Sequence, residues 1–346
     1  MRAATPSWLG LSSQSCLIEF AERPMETWVK RLAVVATVGM FLVLFLGATV
    51  TNTGSAEGCG RSWPLCHGEF IPSYALETAI EFSHRVVTAI EGFFIAAVAI
   101  GALRLRRGHL ETKIYVGLMV GTLLLQSGLG ASAVLWPQRP AIMAVHFGIS
   151  LVCFASVFLL TRLLYQTSGG NSRPTPSAVS MSPWFRRATW LALIGALGVA
   201  YLGAYMRHGK AELACYEWPQ CTRDGFIPTL SGPVGIALGH RLAAAALVVL
   251  VAGLTYVAYR HRETQPELFR VNLAALILLL LQALAGGFVV LTRLELWTTL
   301  AHAGLMALFF ICVADACRQV RLRSAPSSPA GRVVLTPASG AAGGSA

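Results

Sequence analysis

Apolar residues run along this chain in eight long stretches, at approximately 30–50, 79–103, 114–136, 141–164, 188–206, 233–259, 270–292 and 297–317. Each is close to or above the roughly 20 residues that a helix needs to cross the hydrocarbon core of a bilayer. The polar segments between them are short, and no soluble domain of useful size remains. The pattern predicts an all-α integral membrane protein with eight transmembrane helices.

Composition agrees with this reading. Hydrophobic residues make up 55% and charged residues 12% of the chain, where soluble domains hold roughly a quarter charged residues. The net charge of +11 raises the question of nucleic acid, but its distribution excludes that partner. Lys30, Arg31, Arg104, Arg162, Arg186, Arg260, Arg318 and their basic neighbours fall on one side of an eight-helix topology. The opposite loops hold only Arg61, Arg139, Arg207, Lys210, Arg223 and Arg293. This positive-inside asymmetry predicts a multi-pass protein of the bacterial plasma membrane with both termini cytoplasmic.

Residues 1–28 lack the basic start and continuous apolar run of a cleaved signal, and read as an N-terminal tail. Met25, just before Trp28 and the first span, is an alternative start to Met1. Residues 324–346 are rich in Ser, Pro, Gly and Ala and are expected to be disordered; a similar linker occupies 166–186.

The chain also repeats itself at an offset of 156 residues. Gly47-Ala48 matches Gly203-Ala204, Cys59 matches Cys215, and Phe70-Ile71-Pro72 matches Phe226-Ile227-Pro228. His84-Arg85 matches His240-Arg241, His146 matches His302, and the run Leu123–Gln126 matches Leu279–Gln282. Trp63-Pro64 and Cys66 match Trp218-Pro219 and Cys221 at offset 155, so the second loop is one residue shorter. Two homologous four-helix bundles follow, 29–165 and 187–323. An even number of helices in each gives both the same orientation, with pseudo-twofold symmetry about the membrane normal.

An ionisable or ligating side chain inside a span is costly, and usually functional. His84, His146, His240 and His302 all sit in spans, about five or six residues from the end that faces the cysteine loops. Each half thus places two histidines at one level on two helices, as two axial ligands of a haem iron require. Packing histidines bonded to backbone are the alternative. Zinc would need a third or fourth ligand in each half, and Cys66-His67 lacks the spacing of covalent c-type haem. The loops hold a cysteine pair each, Cys59–Cys66 and Cys215–Cys221, on the outer and oxidising side, where disulfides are expected. A staple over the bundle mouth and a redox exchange are both open as their role.

Glu81 lies three residues before His84 on the same helix face, and its counterpart in the second half is Ala237. A carboxylate one turn from a ligand suits proton transfer or stabilisation of a cation; orienting a neighbour is the alternative. Arg85 and Arg241 are candidates for haem propionate contacts, a task suited to a guanidinium fork, or for helix packing. Gln126 and Gln282 are expected to bond between helices.

Taken together, Glu81-Phe-Ser-His84-Arg85, His146, Gly239-His240-Arg241, His302 and both cysteine pairs resemble the heme A synthases over about residues 29–323. The resemblance implies oxidation of the C8 methyl of haem O to the formyl group of haem A, by two hydroxylations and loss of water. It implies haem b as cofactor, with iron ligated by His240 and His302. Substrate haem O would be held by His84 and His146, with Glu81 catalytic. Haem O synthase and the cytochrome oxidase assembly apparatus are the implied partners besides membrane lipid. Monomer or homo-oligomer is left open. Competing readings are a dihaem b electron carrier, which leaves the one-sided Glu81 unexplained, and a haem chaperone for oxidase assembly.

Overall fold

A computed structural model describes residues 13–70, 75–136, 139–166, 181–223, 225, 227 and 229–322. Eight α-helices dominate them: α1 (Ser13–Asn52), α2 (Leu76–Leu105), α3 (Leu110–Leu135), α4 (Pro140–Gln166), α5 (Pro183–His208), α6 (Gly232–Arg260), α7 (Pro266–Leu291) and α8 (Leu296–Leu322). All eight contain a segment long and apolar enough to span a membrane. Among the described residues there is no strand beyond two isolated bridges, Cys66 with Glu69 and Thr222 with Gly225. Ile71, Pro72, Phe226, Pro228, most of the expected linker and the C-terminal tail 324–346 lie outside the described residues.

Two boundaries differ from the hydropathy reading. Helix α1 starts at Ser13, inside the expected tail, although its membrane-spanning part begins only at Pro24. Helix geometry depends on backbone propensity, which Glu, Ala and Leu satisfy without being uniformly apolar. Helix α5 likewise takes the last residues of the expected linker. Pro183 occupies its first position, and the Ser182 hydroxyl accepts a hydrogen bond from the Phe185 N–H at 3.2 Å, a cap that hydropathy does not register.

Helices α1 to α4 pack on their sequence neighbours and close through α1 against α4; α5 to α8 do the same, closing through α5 against α8. The two groups meet along α1, α4, α5 and α8. Helices α4 and α8 are the most enclosed. Small residues on α4, among them Ala144, Gly148, Ala155 and Ser156, let backbones approach closely there. Outward faces carry exposed apolar side chains such as Val38, Phe93, Ile194 and Val249, as lipid contact requires. Trp28 and Trp184 are exposed at one end of the helices, and Trp136 and Trp297 at the other.

At the end away from the cysteine loops, the two groups share buried charges. Asp315 of α8 accepts from Arg162 of α4 at 3.0 Å and from Gln319 at 3.1 Å, and lies 4.0 Å from Arg318. Arg318 in turn pairs with Glu111 of α3 at 2.8 Å. Arg162 and Arg318 occupy equivalent repeat positions, whereas the counterpart of Asp315 is Leu159. One carboxylate therefore answers two related arginines where α4 meets α8.

Removing one partner of a buried ion pair costs about 3–5 kcal/mol, because the remaining charge stays buried. Because Arg318 keeps Glu111 and the Arg162 side chain is partly exposed, Asp315→Ala is expected to cost less than that, about 1–3 kcal/mol, read as an earlier thermal transition by circular dichroism in detergent. An unshifted transition would show that the two arginines do not depend on this carboxylate.

Candidate functional site

All four sequence-selected histidines lie near the cysteine-loop end of their helices. His84 is the ninth residue of α2 and His240 the ninth of α6, while His146 and His302 are the seventh of α4 and α8. At about 1.5 Å rise per residue, two residues of difference amount to roughly 3 Å of depth. Helix α2 starts three residues before its apolar stretch because its first turn holds Glu77 and Thr78. His84 lies within electrostatic reach of His146, and His302 within that of His240.

The ring nitrogens fit an added ligand. His302 donates from Nδ1 to the Gln282 carbonyl at 3.1 Å, and its Nε2 accepts from the Gln282 side-chain amide at 3.2 Å. A carbonyl only accepts, so Nδ1 carries the hydrogen and Nε2 presents the lone pair that a metal takes. His84, His146 and His240 each keep a buried Nδ1 without a hydrogen bond. Among the described residues, no three His, Cys, Asp or Glu side chains converge as a metal cluster. Pairs of imidazoles between helices suit a planar cofactor with two axial positions better than tetrahedral zinc.

The loop after α1 covers the first pair. Cys59–Cys66 forms a disulfide and encloses a cis Trp63-Pro64 bond. Glu81 is buried beneath it: Oε2 accepts from the Cys59 N–H at 2.8 Å, and Oε1 pairs with the Arg85 guanidinium. Arg85 also donates to the carbonyls of Ser62 and Leu65 at 2.8 and 2.9 Å. Thr78 donates to the Gly58 carbonyl at 2.7 Å. About two turns of α2 thus hold the loop through Thr78, Glu81 and Arg85.

In the second group, Cys215–Cys221 encloses a cis Trp218-Pro219 bond. Arg241 donates to the carbonyls of Cys215 and Gln220 at 2.7 and 2.9 Å. Ala237 replaces Glu81 and is buried. Both arginines engage loop carbonyls, and Arg85 pairs with Glu81 as well; the sequence sets helix packing beside propionate contact as their two roles. Helix packing brings these carbonyls within reach, and sequence separations of 20 to 26 residues concealed them. Gln282 bonds across to α8 as expected, whereas the buried amide of Gln126 has no partner.

Two further residues were missed. Glu91 lies seven residues after His84, on the same side of α2. It is 2% exposed, and its Oε1 makes no hydrogen bond. Its Oε2 fills the space that a side chain on Gly39 of α1 would take. Its repeat counterpart is Leu247, so Glu91 is a second acidic group confined to the first half. The signal was an acidic residue in the middle of an apolar span. His208, the last residue of α5, comes within electrostatic reach of His146, through the packing of α5 on α4.

Comparison with known proteins finds a match to the COX15-CtaA family model, described as cytochrome oxidase assembly protein, over residues 71–314. The heme A synthase of Geobacillus thermodenitrificans is 38% identical over 318 residues, covering 91% of this chain and 99% of that protein. The heme A synthase of Symbiobacterium thermophilum is 40% identical over 293 residues, covering 84% of this chain and 94% of its own. That of Geobacillus kaustophilus is 39% identical over 288 residues, 83% of this chain and 89% of its own.

Hydrogen bonds to charged groups contribute about 1.5–3 kcal/mol each. Arg241→Ala is therefore expected to speed amide hydrogen exchange in the 211–223 loop by about ten-fold or more, as read by mass spectrometry. Unchanged exchange would mean that the disulfide alone holds the loop.

Proposed function

The chain belongs to the COX15-CtaA family of cytochrome oxidase assembly proteins, and from that premise we propose that it is a heme A synthase, a membrane oxidoreductase. Its substrate is haem O, and its product is haem A for terminal oxidases. The C8 methyl group is hydroxylated twice, and the resulting geminal diol loses water to leave a formyl group. Each hydroxylation removes two electrons from the methyl carbon and replaces a hydrogen by hydroxyl.

The two four-helix units take different roles in this reading. His84 and His146 of unit 29–165 hold the substrate iron. His240 and His302 of unit 187–323 ligate a haem b. When bound, haem b supplies a one-electron redox centre that carries electrons away from the substrate. The cysteine loops face outside and both termini face the cytoplasm, as the distribution of basic residues supports.

One observation carries the assignment of the reaction to the first unit. The histidine pairs repeat, but Glu81 has only Ala237 as its counterpart. Glu81 is oriented by the Cys59 N–H and by Arg85. Each carboxylate oxygen has a second lone pair, so the group can still accept a proton from the methyl carbon or steady positive charge there. Arg85 acts here by positioning Glu81 and the loop together.

Two variants test the assignment. Co-expressed with a haem O synthase and analysed by haem extraction, Glu81→Ala is expected to retain bound haem while haem A formation falls by roughly 10²–10⁴-fold, the usual contribution of a general acid or base. Wild-type yield of haem A from this variant would remove Glu81 from the reaction. His240→Ala is expected to lose the absorbance of the resident haem b; an unchanged spectrum rules out that ligand. Extraction of haem b alone from the wild-type protein would favour a dihaem electron carrier.

A further inference from the structure

Each of the four histidine rings rests against a glycine of the preceding helix. His84 faces Gly47 of α1, His146 faces Gly130 of α3, His240 faces Gly203 of α5, and His302 faces Gly286 of α7. These glycines repeat at the same 156-residue offset as the histidines. A Cβ at Gly47, Gly130, Gly203 or Gly286 would stand 3.3, 3.4, 3.0 or 3.0 Å from the imidazole Cε1, respectively. Unstrained carbon–carbon contacts lie at about 3.5–4.0 Å, so alanine would crowd the second-half rings most, His84 less, and His146 scarcely at all.

Space, rather than backbone freedom, is what these glycines supply. None of the four has a positive φ, and glycine inside a helix costs about 0.5–1 kcal/mol relative to alanine. Their shared position also uncovers a hydrogen-bond acceptor. A helical side chain leans toward the preceding turn, so a missing Cβ clears the carbonyl four residues earlier. For Gly286 that residue is Gln282, whose carbonyl receives the His302 Nδ1–H at 3.1 Å. For Gly130 and Gly203 the residues are Gln126 and Val199, while Nδ1 of His146 and His240 makes no hydrogen bond.

We propose that Gly47, Gly130, Gly203 and Gly286 are positioning residues for the four iron-ligating histidines. Each leaves a notch that seats the Cε1 edge of one ring. At Gly286 the notch also opens the Gln282 carbonyl to the His302 Nδ1–H, which leaves Nε2 as the lone-pair nitrogen. The tighter notches at Gly203 and Gly286 fix the ligands of a resident haem. The looser ones at Gly47 and Gly130 suit a substrate that must leave after reaction. This inference rests on the ligand assignment made above.

The test uses full-length protein purified in detergent. Gly203→Ala and Gly286→Ala are expected to weaken haem b binding by roughly 10–100-fold, the usual effect of disturbing groups that orient a metal ligand. They should also shift its midpoint potential and the g values of its ferric low-spin resonance. Gly195→Ala, which meets only Leu247, and Gly117→Ala, which meets nothing within 4 Å, should leave all three at wild-type values. If one notch variant does not accumulate as a folded monodisperse protein, the other carries the same test. Wild-type potential and spectrum in a folded notch variant would overturn the proposal, as would equal shifts in the controls. Wild-type protein without histidine-ligated haem would overturn the functional assignment itself.

Discussion

Inside a bilayer a polar side chain finds no water, so each such group in the eight helices must be answered by another part of the protein or by a ligand. Most are answered by protein. The Glu81 carboxylate meets the Cys59 N–H and Arg85, and Asp315 meets arginines from both halves. Others are not: three of the four histidines keep a buried Nδ1 with no partner, and the Gln126 amide and one Glu91 oxygen have none either. A pair of buried imidazoles on two different helices in each half is the physical reason to expect a cofactor between the helices. It also accounts for the glycines that face those rings, since space for a ring and its ligand has to be kept open against packing.

The repeat explains what the halves share, and its failures mark where they differ. Arg85 and Arg241 tie equivalent loops to equivalent helices, and each loop has its own disulfide and cis Trp-Pro bond. Against that background, Glu81 and Glu91 stand opposite Ala237 and Leu247. Both acidic departures fall on α2, on the side that carries His84. A group that costs stability in a membrane persists there when it serves a proton or a charge, and these two on α2 have no counterpart on α6. The third departure, Asp315 opposite Leu159, lies at the other end of the molecule and joins α4 to α8. It is where a single carboxylate can serve both repeats.

Hydropathy made the eight spans legible because the pattern is dictated by lipid, and lipid contact depends only on local composition. Helix ends were less legible. Ser13–Arg23 and Pro183–Arg186 are helical although they are not uniformly apolar, because capping and backbone propensity act independently of hydrophobicity. The histidines stood out as polar exceptions within apolar runs. Glu91 carried the same signal and was overlooked. The loop carbonyls that engage Arg85 and Arg241 left no local trace at all.

By itself the sequence determined the membrane class, the twofold repeat, the histidine pairs and the one-sided placement of Glu81. All of these follow from residue type and spacing along single helices. Only the tertiary structure decided the partners: which carbonyl receives His302, which loop holds Glu81, which glycine faces each ring, and which carboxylate lies between Arg162 and Arg318. Those contacts join helices far apart in the chain. Their distances depend on how eight cylinders pack, and no periodicity within one helix records that arrangement.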